Sequence, residues 1–228
     1  FYQGIAPRYA DFLAAIRGEF KEFRDLERRL LEETADSRVY YVGAGESSNT
    51  LVLNRRGNKV LGIDFSENML AESRRNLEQH GISHRQVLLS GTNPLTKRYL
   101  DDIFNENEVL LMHGDAKDVQ LPKQYFDVSV IYCTLPNMDE KTQAKVLKTM
   151  KKASKRVLIS IYKPESLPKV LATYKSVGEK GKIEDDTLKL DNGLIYRIVP
   201  LAYLQRMFKR WNLKVHDHPF GLVYDFTH

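Results

Sequence analysis

The feature that most restricts the fold is a glycine turn directly after a short apolar strand, with an aspartate at the end of the next strand. Arg38–Val42 is short, apolar and β-branched, and the chain then turns through Gly43–Gly45. Lys59–Ile63 has the same character and ends at Asp64. In open parallel sheets, ligands bind beyond the carboxyl ends of the strands. The pattern therefore predicts a nucleoside site, where the glycines admit the ligand and the aspartate accepts from ribose hydroxyls.

Strands and helices alternate along the chain, which predicts an α/β fold with a mostly parallel sheet and helices on both faces. The predicted strands are Arg38–Val42, Lys59–Ile63, Val109–His113, Phe126–Tyr132, Arg156–Tyr162, Leu213–His216 and Leu222–Thr227. The predicted helices are Asp11–Leu31, Asn49–Arg56, Glu67–His80, Thr142–Ala153, Pro164–Lys180 and Pro200–Trp211. We expect the last two strands to be antiparallel at one edge. Lys182–Val199 suggests a hairpin turning at Asp191–Gly193, and Ser83–Asn107 reads as irregular, with helical turns over Lys97–Phe104.

Composition favours one globular domain without a membrane span. The chain has 228 residues, of which 42% are hydrophobic and 29% charged, and its net charge is +5. Apolar runs such as Val157–Tyr162 are far shorter than the ~20 residues of a membrane helix. Cys133 is the single cysteine, so no internal disulfide forms, and we expect a cytoplasmic protein. Because the chain begins at Phe1 rather than at a methionine, we expect a trimmed N-terminus.

The type of nucleotide follows from what succeeds the turn. A pyrophosphate-binding loop favours a third glycine at position 48, which is Ser48 here, and no Gly-Lys-Ser/Thr follows. The ligand is then a nucleoside without a pyrophosphate, and one carrying an amino acid fits. The alternatives are a strand–helix turn without a ligand and a nicotinamide cofactor of an oxidoreductase.

Four ordered segments resemble the motifs of class I S-adenosylmethionine-dependent methyltransferases. They are Val39–Gly45, Val60–Leu70, His113–Ala116 and Phe126–Ile131. The resemblance covers residues 38–162, and Gly4–Tyr9 is similar to the arm that many small-molecule members fold over the site. It implies a Rossmann-like sheet of seven strands with the last one inserted antiparallel, and S-adenosylmethionine (SAM) as the cofactor. We then expect one domain over residues 1–228: a helical arm (1–35), a cofactor-binding core (36–162) and a substrate-side segment (163–228).

The resemblance also implies which residues contact the cofactor. Gly43–Gly45 would pass under its methionine part, Asp64 would hold the ribose, and Asp115 and the Ala116 amide would meet the adenine. Phe65 and Met69 would pack on the adenine, and Tyr132, Cys133 and Thr134 would lie near the sulfonium. The implied set is Gly43, Ala44, Gly45, Glu46, Asp64, Phe65, Ser66, Met69, Gly114, Asp115, Ala116, Tyr132, Cys133 and Thr134.

Two departures from the family pattern and several alternative interpretations remain at this stage. Ser47 replaces a third glycine, and the long segment Ser83–Glu108 suggests an added lid or contact surface. Asp115 is a site residue or a turn cap, Met69 a site or core residue, and Tyr9 a lid or core residue. Cys133 is predicted to be a small buried residue and not a nucleophile. No metal site is predicted, because His216 and His218 fit the surface of an edge strand.

The methyl acceptor is predicted from the loop Cys133–Met138, which faces the methyl group. This loop is similar to that of some small-molecule N-methyltransferases and lacks the Asn/Asp-Pro-Pro-Tyr/Phe signature. The prediction is therefore a small-molecule acceptor, with nitrogen favoured over oxygen. Asn137 orients the acceptor or caps the next helix, and Tyr2, Tyr9, Tyr162 and Tyr196 are candidate walls of its pocket.

Two other functions compete with this one. RNA methylation would use the lysine-rich helix, on which Lys141, Lys145, Lys148, Lys152 and Lys155 share one face, although such a face is more often simply solvated. A non-catalytic SAM-binding subunit is the other alternative. A subunit of that kind would not need an intact glycine turn with Asp64, so the presence of both argues against this alternative.

Overall fold

The computed structural model describes residue 15, residues 18–88 and residues 95–228. The strands are β1 (Arg38–Val42), β2 (Lys59–Asp64), β3 (His84–Leu88), β4 (Val109–His113), β5 (Phe126–Tyr132), β6 (Ser154–Tyr162), β7 (Gly181–Glu184), β8 (Thr187–Leu190), β9 (Ile195–Tyr196), β10 (Asn212–His218) and β11 (Gly221–Thr227). The helices, numbered over the described residues, are α1 (Lys21–Glu32), α2 (Ser48–Asn54), α3 (Glu67–Gln79), α4 (Lys97–Glu106), α5 (Glu140–Ala153), α6 (Leu167–Ser176) and α7 (Leu201–Met207). Of the first predicted helix, Asp11–Leu31, the structure shows the second half as α1.

The main sheet has the order β10-β11-β6-β5-β1-β2-β4-β3. All neighbouring strands from β6 to β3 are parallel, and β11 is antiparallel to both β6 and β10. The predicted α/β fold with an inserted antiparallel last strand is therefore confirmed. The parallel strands end at the same edge, where the loops after β1, β2, β4 and β5 meet.

The sheet has eight strands where seven were expected, because β3 pairs in parallel with β4 at the edge. The sequence His84–Leu88 lies in the segment interpreted as irregular, and its first three residues are polar and at least partly exposed. An edge strand needs little apolar sequence, so it left no strand signal. The helical turns predicted at Lys97–Phe104 extend as α4 to Glu106, with the Thr96 side chain accepting from Tyr99 N–H (3.2 Å).

A second, three-stranded antiparallel sheet has the order β7-β8-β9. The predicted turn at Asp191–Gly193 is present and connects β8 with β9. The hairpin prediction was incomplete, however, since the chain also turns between β7 and β8. Asp185 and Asp186 both have positive φ there, which aspartate tolerates better than most residues.

Both faces of the main sheet are covered, as the alternation of side chains along β1 shows. Val39 and Tyr41 belong to one apolar cluster, and Tyr40 and Val42 belong to the other. All four are nearly inaccessible to solvent. Within the described residues, no helix combines the length and the apolarity that a membrane crossing requires.

Candidate functional site

A cavity of about 540 Å³ opens at the carboxyl ends of the central strands. Its wall contains nearly all the predicted cofactor residues: Gly43, Ala44, Gly45, Glu46, Asp64, Phe65, Met69, Gly114, Asp115, Ala116, Tyr132, Cys133 and Thr134. Ser66 is the exception. It is fully buried beneath the wall, where it positions other residues.

The glycine turn is held tightly against the end of β2. The N–H groups of Gly43 and Ala44 both donate to the carbonyl oxygen of Ile63, at 2.9 and 3.1 Å. Gly43 and Gly45 have φ values of +72° and +57°, a region in which side chains are strained. A Cβ atom at Gly43 would also collide with the Thr134 side chain. The turn therefore presents bare backbone to the cavity.

Asp64 is the carboxylate that ties this turn to the start of α3. Its two oxygens accept from Gly45 N–H (3.0 Å) and Ser66 N–H (2.9 Å). Only 9% of the residue is exposed, and burial raises the pKa of its carboxyl against the effect of these hydrogen bonds. Ser66 also caps α3, since its hydroxyl accepts from Met69 N–H at 3.3 Å. The geometry fixes both carboxylate oxygens at the cavity wall.

The far side of the cavity combines an exposed ring with a second carboxylate. Phe65 is 56% exposed although it is a large hydrophobic residue, so it offers a stacking surface. Asp115 accepts from Lys117 N–H (3.0 Å) and pairs with the Lys117 ammonium at 2.6 Å. Asp115 is therefore both a turn cap and a cavity residue, and Met69 is both buried core and cavity wall.

Cys133 lies at the end of β5 in a left-handed conformation, with φ of +50°. Its N–H donates to the carbonyl oxygen (3.0 Å) and the hydroxyl (3.1 Å) of Ser160. Burial raises the pKa of its thiol to about 12. A thiol with so high a pKa stays protonated at neutral pH. The residue is partly buried and not fully buried as expected, since it also lines the cavity.

We expect the native Cys133 thiol to react about 10³-fold more slowly with iodoacetamide at pH 8 than a free cysteine, because thiolate appears only as the pH approaches the raised pKa. The measurement is the alkylation rate by mass spectrometry. Protein unfolded in guanidinium is the control and should react at the ordinary rate. Rapid alkylation of the native protein would contradict a protonated thiol.

The start of α5 decides between the two interpretations of Asn137. Asp139 caps that helix by accepting from Thr142 N–H at 2.7 Å, so the capping role considered for Asn137 is wrong. Asn137 instead lines the cavity, and its amide donates to the carbonyl oxygen of Cys133 at 3.4 Å.

The other end of the cavity is built from tyrosines and from arginines of α1. Tyr162 and Tyr196, which were predicted as wall residues, line this end of the cavity. The Tyr162 N–H donates to the Tyr196 hydroxyl at 2.6 Å. Tyr2 and Tyr9, with the arm Gly4–Tyr9, lie outside the described residues. Sequence reasoning missed Arg24, Arg28 and Tyr174. The one available signal was Glu27, a charged residue at a core position of the α1 pattern.

The segment Ser83–Glu108, expected to add a lid or a contact surface, contributes none of its described residues to the cavity wall. These residues widen the sheet instead. The lysine face of α5 also lies outside the wall, and Lys141, Lys145, Lys148 and Lys152 are exposed.

The sheet is Rossmann-like, and the glycine turn, Asp64 and Asp115 lie after β1, at the end of β2 and after β4. A family model described as a methyltransferase domain matches residues 40–158, which is more than half of the chain. The chain belongs to this family of methyltransferase domains.

A curated relative from Staphylococcus carnosus, described as an uncharacterized methyltransferase, is 38% identical over 85 residues. That alignment covers 33% of this chain and 40% of the relative's length.

Solved structures share the fold at low sequence identity. A SAM-dependent methyltransferase from Clostridium acetobutylicum has a TM-score of 0.62 at 13% identity, with 96% of this chain and 98% of that chain covered. The Burkholderia thailandensis 1,6-didemethyltoxoflavin-N1-methyltransferase, with 1,6-didemethyltoxoflavin and S-adenosylhomocysteine bound, has a TM-score of 0.56 at 14% identity, with 96% of this chain and 89% of that chain covered.

Proposed function

We propose that the cofactor lies across the cavity from the glycine turn to Asp115. Bare backbone at Gly43–Gly45 accommodates its amino-acid part, Asp64 accepts from its ribose hydroxyls, and the exposed ring of Phe65 stacks on its adenine. SAM supplies an electrophilic methyl group on a sulfonium. The protein's part is to hold the acceptor in line with that methyl group and to exclude water.

We further propose that residues 1–228 act as one domain, with residues 1–35 as an arm, 36–162 as the cofactor-binding core and 163–228 on the substrate side. Tyr174 of α6 and Tyr196 of β9 support this division, because both reach the cavity from the last segment. The free thiol of Cys133 fits a reducing compartment, and we propose the cytoplasm.

The acceptor that we propose is a small molecule. The observation that carries this proposal is the tyrosine-lined end of the cavity, where Tyr162, Tyr174 and Tyr196 are each at least nine-tenths buried. Buried aromatic walls enclose a compact, flat ligand and leave little room for a polymer. The exposed lysines that an RNA would touch lie away from these walls.

Nitrogen is favoured over oxygen as the accepting atom because the titratable groups around the acceptor end are poorly suited to take a proton. Burial raises the pKa of the Tyr162 and Tyr196 hydroxyls and of the Cys133 thiol, which are thus neutral donors. Asp139 is committed to capping α5, and the hydrogen bonds from Thr142 lower its pKa. A neutral amine has a lone pair that can attack the methyl group directly, whereas a hydroxyl usually needs a base or a metal to become a nucleophile.

The test is methyl transfer from labelled SAM to matched pairs of small aromatic amines and phenols of the same skeleton. We expect the amine to be methylated at least 10-fold faster than its hydroxyl counterpart at pH 7.5. Preferential methylation of the phenols would contradict the choice of nitrogen.

An RNA arm of the same assay addresses the competing function. The Lys148→Glu/Lys152→Glu variant, altered at two exposed positions of α5, should methylate small amines within 2-fold of wild type. Efficient labelling of RNA by the wild type, lost in this variant together with a reduced salt dependence of RNA binding, would favour RNA instead.

A further inference from the structure

Two arginines of α1 reach into the wall of the cavity. Arg24 and Arg28 are four residues apart, so they lie on one face of the helix, and both line the cavity. Arg24 is half-buried, with 25% of its side chain exposed, whereas Arg28 is 52% exposed. Arginine presents a planar fork of donors that matches a carboxylate.

The guanidinium of Arg24 is held rigidly by a buried polar network. Nη1 donates to the Glu27 carboxylate at 2.6 Å, and Nη2 donates to the Tyr162 hydroxyl at 2.9 Å. Glu27 is 1% exposed and also accepts a hydrogen bond from the Ser160 hydroxyl. A guanidinium has more N–H donors than these two partners use. Arg24 is therefore a fixed donor at the cavity wall.

Together, Arg24, Arg28 and Glu27 of α1 carry a positive net charge. Burial disfavours the charge of Arg24, but the Glu27 carboxylate, together with Tyr162 and Cys133, raises the Arg24 pKa well above its ordinary value. The Glu27 carboxylate neutralises the charge of Arg24 but not that of Arg28. The acid nearest to Arg28 is Asp25 at 4.0 Å, and Asp25 is itself engaged by Lys21 at 2.8 Å. The second arginine thus adds a charge that its own helix only weakly offsets.

Stability alone is a weak reason for this arrangement. Burying an arginine–carboxylate pair costs desolvation, which the attraction between the two ions often only just offsets. An anion that binds to the remaining donors would give the pair a function.

The position of Arg24 places such an anion away from the nucleoside. Its partner Tyr162 belongs to β6, as does Ser160, which donates to Glu27. Asp64, in contrast, ends β2, and Asp115 follows β4. In the sheet order, β6 and β2 lie on opposite sides of β1. The arginines therefore face the tyrosine-lined end, where the acceptor is proposed to bind.

We propose that Arg24 and Arg28 bind a carboxylate of the methyl acceptor, so that the enzyme methylates small amines that carry an anionic group. This inference rests on the proposed function, since it concerns the acceptor end of the same cavity. Arg24 fixes the carboxylate, the tyrosine walls enclose the ring or chain that follows, and Arg28 adds attraction at the mouth.

The experiment is a titration of the protein, saturated with S-adenosylhomocysteine, with benzoate and with its neutral isostere benzamide. Saturation occupies any carboxylate site that serves the cofactor itself. We expect benzoate to bind at least 10-fold more tightly than benzamide to the wild type. The preference should disappear in Arg24→Gln and fall about 3-fold in Arg28→Gln, while Arg29→Gln, an exposed position outside the cavity wall, leaves it unchanged.

Two further variants guard against a folding defect, since Arg24→Gln leaves Glu27 buried without its cation. Arg24→Gln/Glu27→Gln removes both charges and should fold yet lose the benzoate preference. Arg24→Lys should retain part of the benzoate preference.

Equal binding of benzoate and benzamide by the wild type would overturn the proposal. So would a loss of S-adenosylhomocysteine affinity in Arg24→Gln with the benzoate preference intact, because the arginine would then serve the cofactor. Failure of the proposed function is distinguishable, because it would show in the separate methylation assay as preferential labelling of phenols or of RNA.

Discussion

Gly43→Ala is expected to weaken S-adenosylhomocysteine binding at least 100-fold and to lower the free energy of unfolding by about 2–3 kcal/mol. The residue has φ of +72°, and its new Cβ would collide with the Thr134 side chain. Thr134 cannot turn away freely, because its hydroxyl donates to the Tyr132 carbonyl oxygen at 3.0 Å. The glycine turn must then move into the space that we assign to the cofactor. Calorimetric titration and chemical unfolding measure the two effects.

Gly81→Ala is the matched control for backbone strain. Gly81 follows α3 with φ of +67°, but a Cβ there meets nothing within 4 Å. We expect a loss of about 1 kcal/mol in stability with unchanged cofactor affinity. If both alanine variants bound S-adenosylhomocysteine equally well, the close approach of cofactor and turn would be wrong.

Asp64→Ala is expected to weaken S-adenosylhomocysteine binding roughly 100- to 1000-fold, because two charge-assisted hydrogen bonds to the ribose would be lost. The same change leaves the N–H groups of Gly45 and Ser66 without their acceptor, so the turn also loses its anchor. Activity at saturating acceptor should fall in parallel. The binding constant is again measured by calorimetry.

Asp127→Ala is the control for a carboxylate that accepts from a backbone N–H, here that of Arg38 at 3.1 Å, outside the cavity wall. It should leave the affinity for S-adenosylhomocysteine unchanged.

The wild type supplies a pH test as well. Burial raises the pKa of Asp64. As the pH falls, the carboxylate that the ribose hydroxyls require is therefore protonated at a higher pH than an ordinary aspartate would be. Full affinity in Asp64→Ala would remove this residue from the site.

Much of the fold could be predicted because its central strands are buried on both faces. Arg38–Val42 and Phe126–Tyr132 are apolar for that reason, and their ends agree with the structure. The glycine turn and Asp64 were equally predictable, because backbone conformation and a buried charge demand particular residue types. The edge strand β3 was missed since it begins with three polar, at least partly exposed residues (His84, Arg85 and Gln86). Pairing with β4, which is remote in sequence, decides its conformation.

The acceptor end was less accessible to sequence reasoning for a different reason. Arg24 belongs to the polar residues of an amphipathic helix, and periodicity alone assigns such residues to solvent. What brings it to the cavity is Glu27, buried against Ser160 and Tyr132, whose hydroxyl donates to the Glu27 carbonyl oxygen at 3.3 Å. These contacts join residues more than a hundred positions apart, so only the tertiary structure shows them.

The most direct test of the account is a crystal structure of the protein with S-adenosylhomocysteine. We predict that the ribose hydroxyls contact the Asp64 carboxylate, that the adenine lies between Phe65 and Asp115, and that the sulfur faces Cys133 and Thr134, with the arginines of α1 left open toward the tyrosine-lined end. A ligand bound elsewhere, or one that turns its ribose away from Asp64, would contradict the assignment of the cavity.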